Sequence, residues 1–286
     1  MSAQAQYGSD VIEESYDLLE DIVSKSNIAK SDDEKNRAKS QIAELANEVM
    51  QGTVTLSDNL AASIDARIAQ IDALISKQLT TVMHAPEFQK LESSWRGLHY
   101  LCSQTPSESM LKIRMLNTTK RELTKDFQSS IDFDQSTLFK KIYEEEFGSF
   151  GGEPYAAIVG DFEFTRQNAD MYLLEQLSHV AAAAHAPFVS AASAEMFGLE
   201  SFTDIGRPRD LSKIFETAEY IRWRAFRQSE DARYVALTVP RFLGRLPYNP
   251  KDGTVVEGFN FTEEVSGNDH NDYLWVNAAY AFASRL

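Results

Sequence analysis

Between residues 60 and 82 the side chains Leu60, Ile64, Ile68, Ile71, Ile75, Leu79 and Val82 recur in steps of three and four. That spacing is one face of an α-helix and is incompatible with a strand, whose period is two. Ser57 or Asp58 is placed to cap the start of this helix. Pro86 suits the first turn of a second helix, and Phe88, Leu91, Trp95, Leu98 and Cys102 continue a seam of the same kind. The two helices read together as an αα-hairpin. A single narrow stripe on each helix needs a surface to cover it.

Upstream, residues 1–50 form an N-terminal helical segment. Ile12, Tyr16, Leu19 and Val23, with Leu18 and Ile22 beside them, mark one face of an amphipathic helix. Its other face is acidic, with Asp10, Glu13, Glu14, Asp17, Glu20 and Asp21, and Asp10 is an N-cap candidate. Ser31 and Glu34 make a capping box for a further helix whose apolar face is Ala38, Ile42, Leu45 and Val49. Two short helices cannot build a core alone. Thr53, Val54, Thr55 and Leu56 are β-branched or apolar and read as an isolated strand with no hairpin partner in sequence. Residues 51–106 thus hold a linker strand and the helical hairpin.

Residues 107–286 alternate strands with helices. Leu111, Ile113 and Met115 alternate with Lys112 and Arg114, which predicts a strand with one wet face. Tyr155–Gly160 is a continuous apolar run, as for a strand covered on both faces. A helix through Met171, Leu174, Leu177 and Val180 follows, then strands over Pro187–Ala191 and Tyr234–Val239. Strands separated by helical stretches imply crossover connections and a mixed, largely parallel sheet with flanking helices. The predicted class is therefore mixed α/β. Leu274–Leu286 reads as the start of a helix with no terminus signal, so the chain is expected to be a piece of a longer protein.

Composition excludes several functions. Lys plus Arg number 28 against 43 Asp plus Glu, a net charge of −15 that repels phosphate backbones and argues against nucleic-acid binding. Cys102 is the single cysteine, so no intramolecular disulfide forms. Residues 1–10 lack the pattern of a signal peptide, and no apolar run reaches the roughly 20 residues that span a bilayer. The longest, Val180–Ala194, is interrupted by His185 and Pro187. The expectation is a cytoplasmic protein without membrane insertion.

No residue pattern calls for a metal or a cofactor. Gly148, Gly151 and Gly152 precede the strand at Tyr155 and lack the lysine of a phosphate loop. His84, His99, His179, His185 and His270 show no i, i+4 zinc pair. Asp269, His270 and Asp272, next to Gly267 and Asn268, read as a solvated turn. Asp161 and Glu163 sit at a strand end, where α/β enzymes place catalytic groups, and they carry the enzymatic alternative. Arg222, Arg224, Arg227, Arg233, Arg241 and Arg245 are dense enough for two readings: ion pairs within the chain, or an interface with an acidic partner.

Three stretches, Thr53-Val-Thr-Leu56, Ile64-Asp-Ala-Arg-Ile-Ala-Gln-Ile-Asp-Ala-Leu-Ile75 and His84-Ala-Pro-Glu-Phe-Gln-Lys-Leu-Glu-Ser-Ser-Trp-Arg-Gly-Leu-His-Tyr-Leu101, resemble the large contractile-sheath subunit of type VI secretion systems. Gly160-Asp-Phe-Glu-Phe164, Ala181–Ala192 and Arg241-Phe-Leu-Gly-Arg-Leu-Pro-Tyr248 extend the resemblance to this TssC/VipB family. Members continue well past residue 286, so their C-terminal part is missing here. The resemblance implies a non-catalytic subunit that pairs with a small sheath subunit. It polymerises with copies of itself around an inner tube on a baseplate, contracts to expel the tube, and is recycled by a ClpV-type AAA+ unfoldase. It also implies roles. Leu60, Ile64, Ile68, Ile71, Ile75 and Leu79 would be buried, largely against the small subunit or against the second helix of the hairpin. Thr53, Val54, Thr55 and Leu56 would join a sheet in an adjacent protomer. Leu18, Leu19, Ile22 and Val23 would bind the unfoldase. A phage-tail-like injection sheath would share this architecture and differ in partners.

Overall fold

The computed structural model describes residues 31–50, 60–105, 111–249, 251, 259–267 and 269–286. The chain falls into two compact units, the first ending at Lys77 and rejoined by Asn249–Thr262, the second made of Gln78–Tyr248 and Glu263–Leu286. The predicted helix around Leu18, Leu19, Ile22 and Val23 and the predicted strand Thr53–Leu56 lie outside the described residues.

In the first unit, helix α1 (Asp32–Met50) starts at the predicted capping box. The Ser31 amide donates to Glu34 Oε2 at 3.1 Å and the Glu34 amide to Ser31 Oγ at 3.3 Å. Helix α2 (Leu60–Met83), whose last residues from Gln78 belong to the second unit, covers the full apolar stripe in 24 residues.

The second unit is built on a three-stranded parallel sheet in the order β1 (Ile158–Phe164), β2 (Phe188–Ala192), β3 (Val235–Thr238). Helix α3 (Pro86–Gln104) precedes it with Pro86 in its first turn. Helix α4 (Lys120–Ser129) opens with a capping box between Thr119 and Glu122. Helix α5 (Thr137–Phe139) runs directly into a π-helical stretch, Lys140–Phe147. Helix α6 (Asn168–Ala183) crosses from β1 to β2, and its Met171, Leu174, Leu177 and Val180 are all buried as their spacing predicts.

All five residues of β2 are buried. Alternation splits them between two faces. Phe188 and Ala192 join the main core with Phe164, Leu173, Leu177 and Val180, while Val189 and Ala191 lie outside that cluster. The second face is covered by helix α8 (Ala278–Ala283), which packs on β1 and β2. Between α6 and β3 lies a short helix α7 (Ile221–Gln228).

β1 departs from its predicted span. It begins three residues later and continues to Phe164, because its pairing register shifts between Val159 and Glu163. The buried Ser190 hydroxyl bridges that irregularity, 2.9 Å from both the Gly160 and the Phe162 carbonyls. The apolar run ends at the bulge, but the ladder resumes beyond it. At the C-terminal end, strand β4 (Phe242–Leu243) pairs antiparallel with β5 (Trp275–Val276). Leu274–Val276 is therefore not the start of a helix. The helix begins at Ala278, where Asn277 Oδ1 accepts from the Ala279 amide at 2.8 Å.

The predicted strand Leu111–Met115 is not part of a sheet; residues 111–119 belong to no helix or strand. Its alternation is a strand signal, yet no described strand of this chain pairs with it. Among the described residues, no helix is long and apolar enough to cross a membrane.

Candidate interaction surface

Helix α3 is fastened to the second unit by its small and polar side. Ser93 Oγ donates to the Trp275 carbonyl at 2.9 Å, and Ser94 Oγ donates to Asp161 Oδ2 at 2.5 Å. Gly97 is buried, and a Cβ there would lie 2.3 Å from the Tyr280 ring, so α8 can approach only where α3 carries no side chain. At about 3.6 residues per turn, Ser93 and Gly97 lie roughly opposite the apolar seam. Most of that seam points outward: Phe88, Leu91 and Trp95 are 39%, 56% and 58% exposed and Cys102 is exposed as well, while Leu98 is half-buried.

Helix α2 shows the same inversion. Ile64, Ile68, Ile71, Ile75, Leu79 and Val82 are all 38–51% exposed. The side chain of Leu60 lies outside what is described. Among the described side chains of α2, the buried ones are Ser76 and Thr80. Ser76 Oγ accepts from the Thr262 amide at 3.4 Å, and Thr80 Oγ1 accepts from the Glu264 amide at 3.3 Å. A helix serving its own core buries its apolar stripe. Here the stripe is left bare and the polar side is used inward. Sequence periodicity located the stripe on both helices; which side would face the chain is set by the hydrogen bonds of Ser76, Thr80, Ser93 and Ser94.

Beneath α3 lies a charge cluster that periodicity could not reveal. Arg245, 10% exposed, reaches Glu92 Oε1 at 2.7 Å and Glu263 Oε2 at 2.6 Å. Glu263 is 1% exposed and is also met by His84 Nε2 at 2.9 Å and by the Tyr248 amide at 3.0 Å. Arg96 adds a bond to Glu92 at 2.6 Å and a second to the Tyr248 hydroxyl at 2.9 Å. Burial pushes the Glu263 carboxyl up, but the bonds from Arg245, Tyr248 and His84 outweigh it and hold the group below the ordinary carboxylate range. Glu92 is likewise lowered, burial being outweighed by Arg245 and Arg96. The Arg245 guanidinium is opposed by burial and held firmly protonated by the two carboxylates. The cluster locks the start of α3 to the chain around β4 and to residue 263. Its only sequence signal is an arginine inside the otherwise apolar run Phe242–Tyr248.

The arginine-dense region divides between its two readings. Arg241 holds Glu163 through bonds of 2.5 and 2.6 Å, Arg245 is buried as described, and Arg224 donates to the Phe215 and Thr217 carbonyls at 2.9 Å each. Arg233 pairs with Glu230 at 3.4 Å. Arg222 and Arg227 are exposed.

Asp161 and Glu163 are each committed to fixed donors. Asp161 accepts from Ser94 and, at 3.3 Å, from Asn277 Nδ2, while Glu163 is forked onto Arg241. The surface clefts lined by Arg166, Gln167, Asn168 and Glu219 and by Phe127, Ser130, Phe133 and Tyr172 include neither carboxylate. The cluster at Asp269–Asp272 is a turn, as its composition predicts. Asp272 Oδ2 accepts from the Ser266 amide at 2.8 Å, and Asp269 Oδ1 accepts from the Asn271 amide at 2.9 Å.

The chain has a relative of known family. Over 259 residues it is 46% identical to the type VI secretion system sheath protein TssC1 of Pseudomonas aeruginosa. The match takes in 90% of this chain and 52% of that protein, so the chain spans about half the length of the curated relative it matches. Residues 65–286 also match the VipB family model, described as the EvpB/VC_A0108 tail sheath N-terminal domain. On that match, which takes in α3, the parallel sheet and most of α2, the chain belongs to the VipB family of tail sheath proteins.

Proposed function

We propose that this chain is a non-catalytic subunit of the contractile sheath of a type VI secretion system, working in the cytoplasm. It pairs with a small sheath subunit and polymerises with copies of itself around an inner tube. The observation that carries this reading is the outward apolar stripe of α2, from Ile64 to Val82, on a helix whose inward side is polar. Fully burying an aliphatic side chain is worth about 1.5–3 kcal/mol. With roughly half of that area still exposed, each of six residues contributes about 1 kcal/mol on pairing. Association costs about 4–15 kcal/mol in lost freedom, so the stripe is an anchor and further contacts are needed beside it. The exposed Phe88, Leu91 and Trp95 on α3 are a second source of such contacts.

The same reading gives Thr53–Leu56 the role of a strand added to a neighbouring protomer. It gives Leu18, Leu19, Ile22 and Val23 the role of a ligand for a ClpV-type AAA+ unfoldase. Both rest on the sequence pattern and the family. Co-expression of the full-length protein with the small sheath subunit, viewed by electron microscopy, tests the assembly. Tubules that require both chains are expected. A discrete, compact oligomer formed without the small subunit would contradict the reading.

A further inference from the structure

We draw no further inference here: the strongest candidate, the surface cleft at the start of helix α6 lined by Arg166, Gln167, Asn168 and Glu219, rests on a helix N-terminus alone, because Arg166 is already paired with Glu219 and, among the described residues, no buried side chain without a partner lines it.

Discussion

Replacing Arg245 by methionine removes the cation shared by two poorly exposed carboxylates. The side chain is 10% exposed, Glu92 is 12% and Glu263 is 1% exposed, so water cannot take over the lost bonds. Breaking one partner of a buried ion pair costs about 3–5 kcal/mol. Arg96 still supports Glu92 and His84 still supports Glu263, which places Arg245→Met near the lower end, about 3 kcal/mol. With a urea slope of about 2 kcal/mol per molar, the unfolding midpoint at pH 7 should fall by about 1.5 M. The pH dependence is the sharper readout. In the native protein both carboxyl groups are held below their ordinary value of 4.5, so their contribution is present above about pH 4.5 and is lost as pH falls through the lowered values. In Arg245→Met the main group lowering them is gone and burial pushes them up. Protonation then relieves the variant, and its stability falls as pH rises through the raised values. The gap between the two proteins should therefore shrink between pH 7 and pH 4. A loss below about 1 kcal/mol, or a gap that does not change with pH, would refute the account of the cluster.

Gly97→Ala should destabilise the chain by about 1–2 kcal/mol, because overpacking against the Tyr280 ring outweighs the roughly 1 kcal/mol that alanine gains over glycine in a helix. Calorimetry that shows a gain in stability would mean that α8 does not press on α3 at Gly97. Leu19→Asp combined with Ile22→Asp should leave sheath assembly and contraction intact and prevent binding of the ClpV-type unfoldase, as measured by pull-down. A double variant that fails to assemble would place that helix in the sheath's own packing.

Much of the second unit was legible from spacing alone. Met171, Leu174, Leu177 and Val180 sit in the core where a 3.6-residue period puts them, and β2 and β3 fall within a residue of their apolar runs. β1 was harder because its ladder resumes after a register shift, past Asp161, where the apolar run has already ended. The charge cluster was invisible because its members lie up to 179 residues apart in sequence, and no local pattern joins His84 to Glu263. The periodic stripe on α2 was plain to see, but periodicity says only that a face is apolar. It does not say which molecule covers it. The same limit applies at Leu111–Met115, where alternation marks a strand and no described strand pairs with it.

The central claim is that the α2 stripe belongs to an interface and not to the chain's own core. Ile71→Asp places a charge on a side chain that is 42% exposed in the chain. An exposed substitution should change the chain's own stability by no more than about 0.5 kcal/mol. Co-purification with a tagged small sheath subunit, run beside urea unfolding of the same variant, measures both quantities. The account predicts that unfolding is unchanged and that the small subunit is lost. Normal pairing by Ile71→Asp, or a chain that unfolds before it meets a partner, would contradict it.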